Sequence, residues 1–198
     1  MGDPTFPTVD FNTGGVFASF NVDTLDNAQI PLNGSRVNVE WESNLDGLGA
    51  DDNYDSVESS VAYVWTRGRH TLNGGLRFNT SYSAGTVARS FFPLGGFLNL
   101  SGLARGEISG PHSALARLIY YRRTGQIKGS FEVPLYFGGS LEAGNVWQSR
   151  SDISLGSTLT HGSLFVAMDT LIGPVFLAAG FGTGGNKSLY LSFGTRLE

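Results

Sequence analysis

The residues of this sequence that could carry chemistry form no recognisable catalytic or metal-binding constellation. The three histidines, His70, His112 and His161, lie far apart and near predicted strand ends, which favours solvated or interfacial side chains over metal ligands. The glycine-rich stretch 94–102 is followed by neither Gly-Lys-Ser/Thr nor a signalled helix, so it does not match a phosphate loop. The acidic stretch 46–55 lacks the ligand spacing of a calcium loop and is expected to be a solvated loop. We therefore expect no enzyme, no cofactor and no metal site.

Charged residues at alternate positions of predicted strands are better candidates for a functional site. Six of them are expected to face the interior of the fold: Arg36, Glu40, Glu42, Glu58, Arg77 and Arg117. Glu142 follows the same alternation, whereas Arg105 and Gly106 lie in the long connection 83–111. An unpaired buried charge costs several kcal/mol. If the connection folds into the interior, Arg105 and Glu142 are therefore expected to pair through two parallel hydrogen bonds. The alternative is that Arg105 faces water.

These side chains must be positioned by β-strands, because the dominant pattern has a period of two. In the stretch 35–43, for example, Val37, Val39 and Trp41 alternate with polar residues. The pattern predicts nine strands, at about 14–24, 34–44, 55–67, 70–82, 112–124, 131–147, 158–170, 174–182 and 187–197.

The length of the predicted strands favours a membrane barrel over a soluble sheet. Many span about 10 to 13 residues, whereas a globular strand usually has about 5–6 and a membrane-spanning strand needs about 9–11. Charged residues make up only 15% of the chain, against about 25% in a typical soluble domain. The fold class expected is therefore all-β, a transmembrane antiparallel β-barrel of about 8–10 strands. The alternative is a soluble β-sandwich with one solvated side.

Composition and loop lengths restrict the environment further. A net charge of −4 gives no electrostatic footprint for nucleic acid, and the absence of cysteine excludes disulfides. Short and long connections alternate, as in barrels with short periplasmic turns and long extracellular loops. Bacterial single-chain barrels usually have an even number of strands. An odd number means that a part is missing, that one assigned element is wrong, or that a second copy closes the barrel.

Four motifs in the same order resemble the superfamily of outer-membrane insertases and two-partner-secretion transporters. "VDTLDNAQIPLNGSRVNVEWE" resembles its strand-turn-strand signature, and "LGGFLNLSGLARGEISG" its long sixth extracellular loop, with Arg105 and Gly106 at the "RG" position. "LEAGNVW" resembles the strand that meets this loop, with Glu142 as the acidic residue, and "LYLSFGTRL" the closing strand. Within the superfamily, the chain is most similar to the C-terminal barrel of patatin-like type V autotransporters.

The resemblance implies a barrel of sixteen strands in the bacterial outer membrane, with the long loop in its lumen and Arg105 paired to Glu142. It implies outer-membrane lipid and a translocated polypeptide as partners. A second copy of the chain, which could close the barrel, is a further candidate partner on the ground of the odd strand number. Family members usually carry periplasmic domains before the barrel, and patatin-like members also carry an upstream lipase domain.

Residues 1–198 are expected to form a single barrel domain that covers only the last strands of the family barrel. The terminal "MG" and "LE" are typical of cloning remnants, so we expect that upstream domains were removed. The alternative function is a small structural or pore-forming barrel, as a homodimer or alone, without a protein client.

Overall fold

Nine long strands form one antiparallel sheet in the computed structural model, which describes residues 12–82, 91–127, 133–171 and 173–197. The strands, in chain order, are β1 Gly15–Asp23, β2 Gly34–Asn44, β3 Tyr54–Arg67, β4 His70–Ser81, β5 Phe92–Leu94, β6 Ile108–Gly110, β7 His112–Ile127, β8 Val133–Trp147, β9 Leu159–Thr170, β10 Gly173–Gly182 and β11 Lys187–Phe193. The sheet order is β1-β2-β3-β4-β7-β8-β9-β10-β11, and β5 and β6 form a separate hairpin. Short 3-10 helices occupy Asp46–Leu48, Arg150–Asp152, Leu155–Ser157 and Thr183–Gly185. Among these elements, no helix is long and apolar enough to cross a membrane.

The expectation of an all-β antiparallel fold is confirmed, and each of the nine predicted strands has a counterpart in the sheet. The predicted start of the strand at 131 lies outside the described residues. The last strand is shorter than predicted, because β11 ends at Phe193. Gly194 has a φ of +69°, a left-handed conformation that glycine adopts without steric cost and that ends the extended run.

One face of the sheet exposes a continuous set of large apolar side chains. It includes Val39, Val61, Leu76, Leu118, Phe137, Leu164, Val166 and Leu177, all at least 39% exposed. Each of these residues lies on the opposite face of its strand from the interior-facing positions, as the period of two requires. A water-soluble monomer rarely exposes an apolar patch of this extent, so this face is suited to an apolar environment.

The other face is covered by the long connection between β4 and β7. The connection returns on itself through the β5–β6 hairpin, and Phe97 and Leu98 pack against buried side chains such as Phe165 and Phe176. Its tip is unusual, because two non-glycine residues, Leu98 and Leu100, have positive φ angles of 59° and 69°. Such conformations are uncommon outside glycine, and here both side chains are buried.

Segments from the opposite end of the strands fill the same interior. The β1–β2 turn brings Ile30 into the cluster that contains Leu98, and the C-terminal segment brings in Leu197, which is 0% exposed. The Leu197 amide donates a hydrogen bond to the Gln29 carbonyl at 2.9 Å. The predicted strand 187–197, with its period of two, would put Leu197 on the same face as Leu189. That expectation is wrong, because the turn at Gly194 redirects the chain inward.

Both edges of the sheet are open. Within the described residues, β1 pairs only with β2, and β11 pairs only with β10. The expected closed barrel is therefore not formed by the described part of the chain. A sheet edge presents unpaired backbone groups that must be satisfied wherever water is excluded.

Candidate functional site

Glu142 lies at the centre of a buried polar site where the long connection meets the sheet. Its position in β8 faces the interior, and the residue is 1% exposed. Its Oε2 accepts a hydrogen bond from the Ser101 amide at 2.7 Å, and its Oε1 accepts from the Ser101 hydroxyl at 2.6 Å. The Ser140 hydroxyl also donates to Oε1. These donors stabilise the carboxylate directly, and Arg117 stands opposite it in register on β7.

Neighbouring strands hold the same segment of the connection through its backbone. The Gly102 amide donates to His161 Nδ1 on β9 at 3.1 Å, and the Ser188 hydroxyl on β11 donates to the Gly102 carbonyl at 3.1 Å. The Tyr190 hydroxyl on β11 contacts the Ser101 and Leu103 carbonyls, each at 2.8 Å. Three strands thus fix residues 101–103. We refer to Ser101, Ser140, Glu142, His161 and Tyr190 as the loop-docking site.

Glycines on β10 allow the connection to approach the sheet closely. A Cβ at Gly180 would lie 1.8 Å from the Ser101 carbonyl oxygen, and one at Gly182 would lie 2.0 Å from His161 Nδ1. Since a side chain at either position would collide with the site, these glycines are required by the close contact of loop and strand.

The structure does not bring Arg105 and Glu142 together. Arg105 and Gly106 are exposed in the part of the connection between its tip and β6. The salt bridge found among the described residues joins Arg36 to Asp23 instead. The segment 95–106 closes on itself, because the Gly106 amide donates to the Gly95 carbonyl at 3.3 Å. This turn directs Arg105 away from β8, and Ser101 donates to Glu142 in its place.

The register places all six charged residues that were predicted to face the interior on the interior-facing side of the sheet. They are Arg36, Glu40, Glu42, Glu58, Arg77 and Arg117. Arg36 pairs in register with Ala62, Ala62 with Gly75, and Gly75 with Arg117, so these four positions form one row across β2, β3, β4 and β7. Glu142 and His161 continue the same row.

Several of these side chains have polar partners. Arg77 donates to the Asn99 side chain, and Arg117 donates to the Leu98 carbonyl at 3.2 Å. Both contacts fix the tip of the connection on the sheet. Glu42 accepts from the Tyr54 hydroxyl at 2.8 Å.

Glu40 and Glu58 lie opposite each other on β2 and β3, near the open edge. Both side chains are exposed, and their like charges repel each other. Neither forms a hydrogen bond or ion pair with the described part of the connection.

The sequence-based interpretation of the histidines is wrong for two of the three. His112 and His161 are buried, and His112 Nδ1 lies 2.7 Å from the Thr80 hydroxyl. His70 is exposed and contacts the Tyr120 hydroxyl at 2.7 Å. Within the described ranges, no group of three or more His, Asp or Glu residues is placed to hold a metal ion.

Ser101, His161 and Tyr190 were not identified from the sequence as site residues. His161 lies directly opposite Glu142 in register, and Tyr190 lies between Ser188 and Ser192 on the inward face of β11. These placements become informative only once the strand register is known.

The fold is an open antiparallel sheet with an apolar outer face and a long connection bound to its polar face. No family model matches the chain, and no curated protein matches it. Among solved structures, the fold is similar to that of BamA from Haemophilus ducreyi lacking POTRA domains 1-3, with a TM-score of 0.70 and 14% sequence identity. The match covers 87% of this chain and 40% of that chain, so this chain spans less than half the length of the BamA chain.

Proposed function

We propose that the chain is part of an outer-membrane β-barrel translocator domain of the polypeptide-transport superfamily. The observation that carries the proposal is the division of the sheet into an exposed apolar face and a polar face occupied by the bound connection. A barrel in an outer membrane has this arrangement, with an apolar band towards lipid and a polar interior. The similarity of fold to BamA supports the same assignment.

The finer assignment rests on the sequence motifs. We place the chain with the patatin-like type V autotransporters, in the bacterial outer membrane, with a translocated polypeptide as client and no catalytic activity of its own. The strands missing from a complete barrel would be supplied by a preceding part of the same chain or by a second copy. Either source would satisfy the backbone groups at the edges of β1 and β11, which lipid cannot do.

A refolding experiment tests the membrane assignment. The protein is refolded into detergent micelles and into lipid vesicles, and circular dichroism and heat-dependent gel mobility are recorded. We expect β-rich spectra only in detergent or lipid, together with a mobility shift on boiling. A monodisperse, folded protein in detergent-free buffer would contradict the proposal.

A small structural or pore-forming barrel without a client is the second candidate function. The filled interior favours it, because Ile30, Phe97, Leu98 and Leu197 occupy the space that a channel would need. Two copies would also give an even number of strands, as is usual in bacterial barrels.

The two candidates differ in measurable properties. Multi-angle light scattering in detergent gives the number of chains in one particle, and planar-bilayer recording gives the conductance. A two-chain particle without conductance favours the structural barrel. Transport of a fused polypeptide across vesicles that contain the protein favours the translocator.

A further inference from the structure

We propose that the interior face carries a binding site for a small oxyanion, with phosphate as the model ligand, between Arg77 and Arg117. A cavity of about 210 Å³ is lined by these two arginines, by Arg36 and by the polar side chains Asn38 and Ser60. The described residues that line it include no carboxylate. Pockets for drug-sized ligands usually have about 300–1,000 Å³, so this one is suited to a smaller group.

The strand register explains why a cavity forms here. Arg36 and Arg117 stand in the same row on β2 and β7, and the two positions between them are Ala62 and Gly75. With neighbouring strands about 4.8 Å apart, the two arginine Cα atoms are about 14 Å apart across this row. The methyl group of Ala62 and the missing side chain of Gly75 form the floor of the cavity. The Arg117 side chain extends over Gly75, with its Nε 3.3 Å from where a Cβ at Gly75 would lie.

Arg77 and Arg117 are close together. Glu142 stands opposite Arg117 in register, and Glu58 is a diagonal neighbour of Arg77, but neither carboxylate is within ion-pair distance of these arginines in the described part of the chain. Gly75 is opposite Arg117 in register, so Arg77, two residues further along β4, is its diagonal neighbour. Diagonal pairs on adjacent strands are within reach of long side chains. Among the described residues, neither arginine forms an ion pair, whereas Arg36 is paired with Asp23.

The hydrogen bonds of Arg77 leave a donor available. Its Nη2 donates to Asn99, but its Nε is buried and has no hydrogen-bond partner within the described part of the chain. A buried donor of this kind is usually satisfied by protein, water or an ion. The planar guanidinium group binds oxyanions through two parallel hydrogen bonds. A phosphate group in the cavity would accept from the remaining guanidinium donors of Arg77 and Arg117, would reach the buried Nε of Arg77 after a shift of that side chain, and would reduce the repulsion between the two cations.

The anion site also contacts the long connection. Arg77 binds Asn99 and Arg117 binds the Leu98 carbonyl, and both residues belong to the connection. A bound anion would hold these two arginines in place, so it would stabilise the docked connection by mass action. This role concerns the interior of the fold and does not depend on transport of a polypeptide.

Isothermal titration calorimetry of the refolded protein in a nonionic detergent and low-chloride buffer tests the proposal. Inorganic phosphate is titrated into the wild type, Arg77→Gln, Arg117→Gln and the control Arg67→Gln, which removes an exposed arginine at the end of β3. We expect saturable binding to the wild type and to the control, and binding at least about tenfold weaker in the other two variants. Ala62→Leu, which fills the floor but keeps every arginine, is expected to weaken binding as well.

A second arm identifies the source of the anion. Micelles that contain short-chain phosphatidic acid replace inorganic phosphate. If the wild type binds the lipid but not inorganic phosphate, and Arg77→Gln does not bind the lipid, the site exists and its ligand is a lipid headgroup. If the wild type binds both ligands, the site is assigned to a free anion. Absence of saturable binding of either ligand to the wild type overturns the proposal, and so does equal binding to all variants. Circular dichroism and heat-dependent mobility, recorded for each variant, report folding separately.

Discussion

Removal of the Glu142 carboxylate is expected to release the long connection from the sheet, whereas removal of Arg105 is not. In Glu142→Ala, the buried Ser101 amide loses its acceptor. An unsatisfied buried group costs about 1–3 kcal/mol, and the cavity left by the side chain adds to this. We expect Glu142→Ala to lower the free energy of unfolding by about 3 kcal/mol.

Glu142→Gln separates the charge from the shape of the side chain. The glutamine oxygen can accept from the Ser101 amide, and its amide can donate to the serine hydroxyl groups, which also act as acceptors. Because only the negative charge of the acceptor is lost, we expect Glu142→Gln to lower the free energy of unfolding by about 1 kcal/mol. Arg105→Ala removes an exposed side chain and should change the free energy by no more than about 0.5 kcal/mol.

Urea unfolding in lipid vesicles, followed by tryptophan fluorescence, measures these differences. Limited trypsin digestion adds a local readout, because the bond after Arg105 should be cleaved faster in Glu142→Ala than in Glu142→Gln. Glu40→Ala is the matched control, as it removes an exposed glutamate from the same face of the sheet. Equal destabilisation by Arg105→Ala and Glu142→Ala would show that an arginine–glutamate pair holds the connection, and would refute the geometry described above.

Three further substitutions test other parts of the structure. Gly180→Ala should displace the connection and accelerate its proteolysis, since the new Cβ would lie 1.8 Å from the Ser101 carbonyl oxygen; Gly74→Ala, which meets nothing within 4 Å, is its control. Leu141→Arg, on the apolar face at 66% exposure, should lower the free energy of unfolding in vesicles by about 2–4 kcal/mol. Its control, Leu155→Arg in a loop at 95% exposure, should change this free energy little. Equal effects of the two substitutions would mean that this face does not contact lipid. Leu197→Ala should lower the free energy of unfolding by about 2–5 kcal/mol, because Leu197 is fully buried, and an unchanged urea midpoint would place the C-terminal segment outside the core.

The strands could be predicted from the sequence because each carries its own signal. Alternation of apolar and polar residues over ten or more positions specifies both the strand and its two faces. The prediction failed after Gly194, where the apolar alternation continues to Leu197 but the chain turns inward. Alternation alone does not show that a single glycine with a positive φ ends the strand, since glycine is also found inside strands such as β4 and β8.

The partner of Glu142 could not be predicted from the sequence, for a different reason. The burial of Glu142 followed from the alternation in β8, but the residue that reaches it depends on the path of the connection. That path is set by Leu98 and Leu100, whose positive φ angles bring the Ser101 amide and hydroxyl to the carboxylate. Leucine gives no local signal for this conformation, and the burial of both side chains in the interior compensates for it. The conformation of the connection is therefore a consequence of its docking. A partner for Glu142 chosen by charge alone is Arg105, whereas the partner in the folded chain is Ser101.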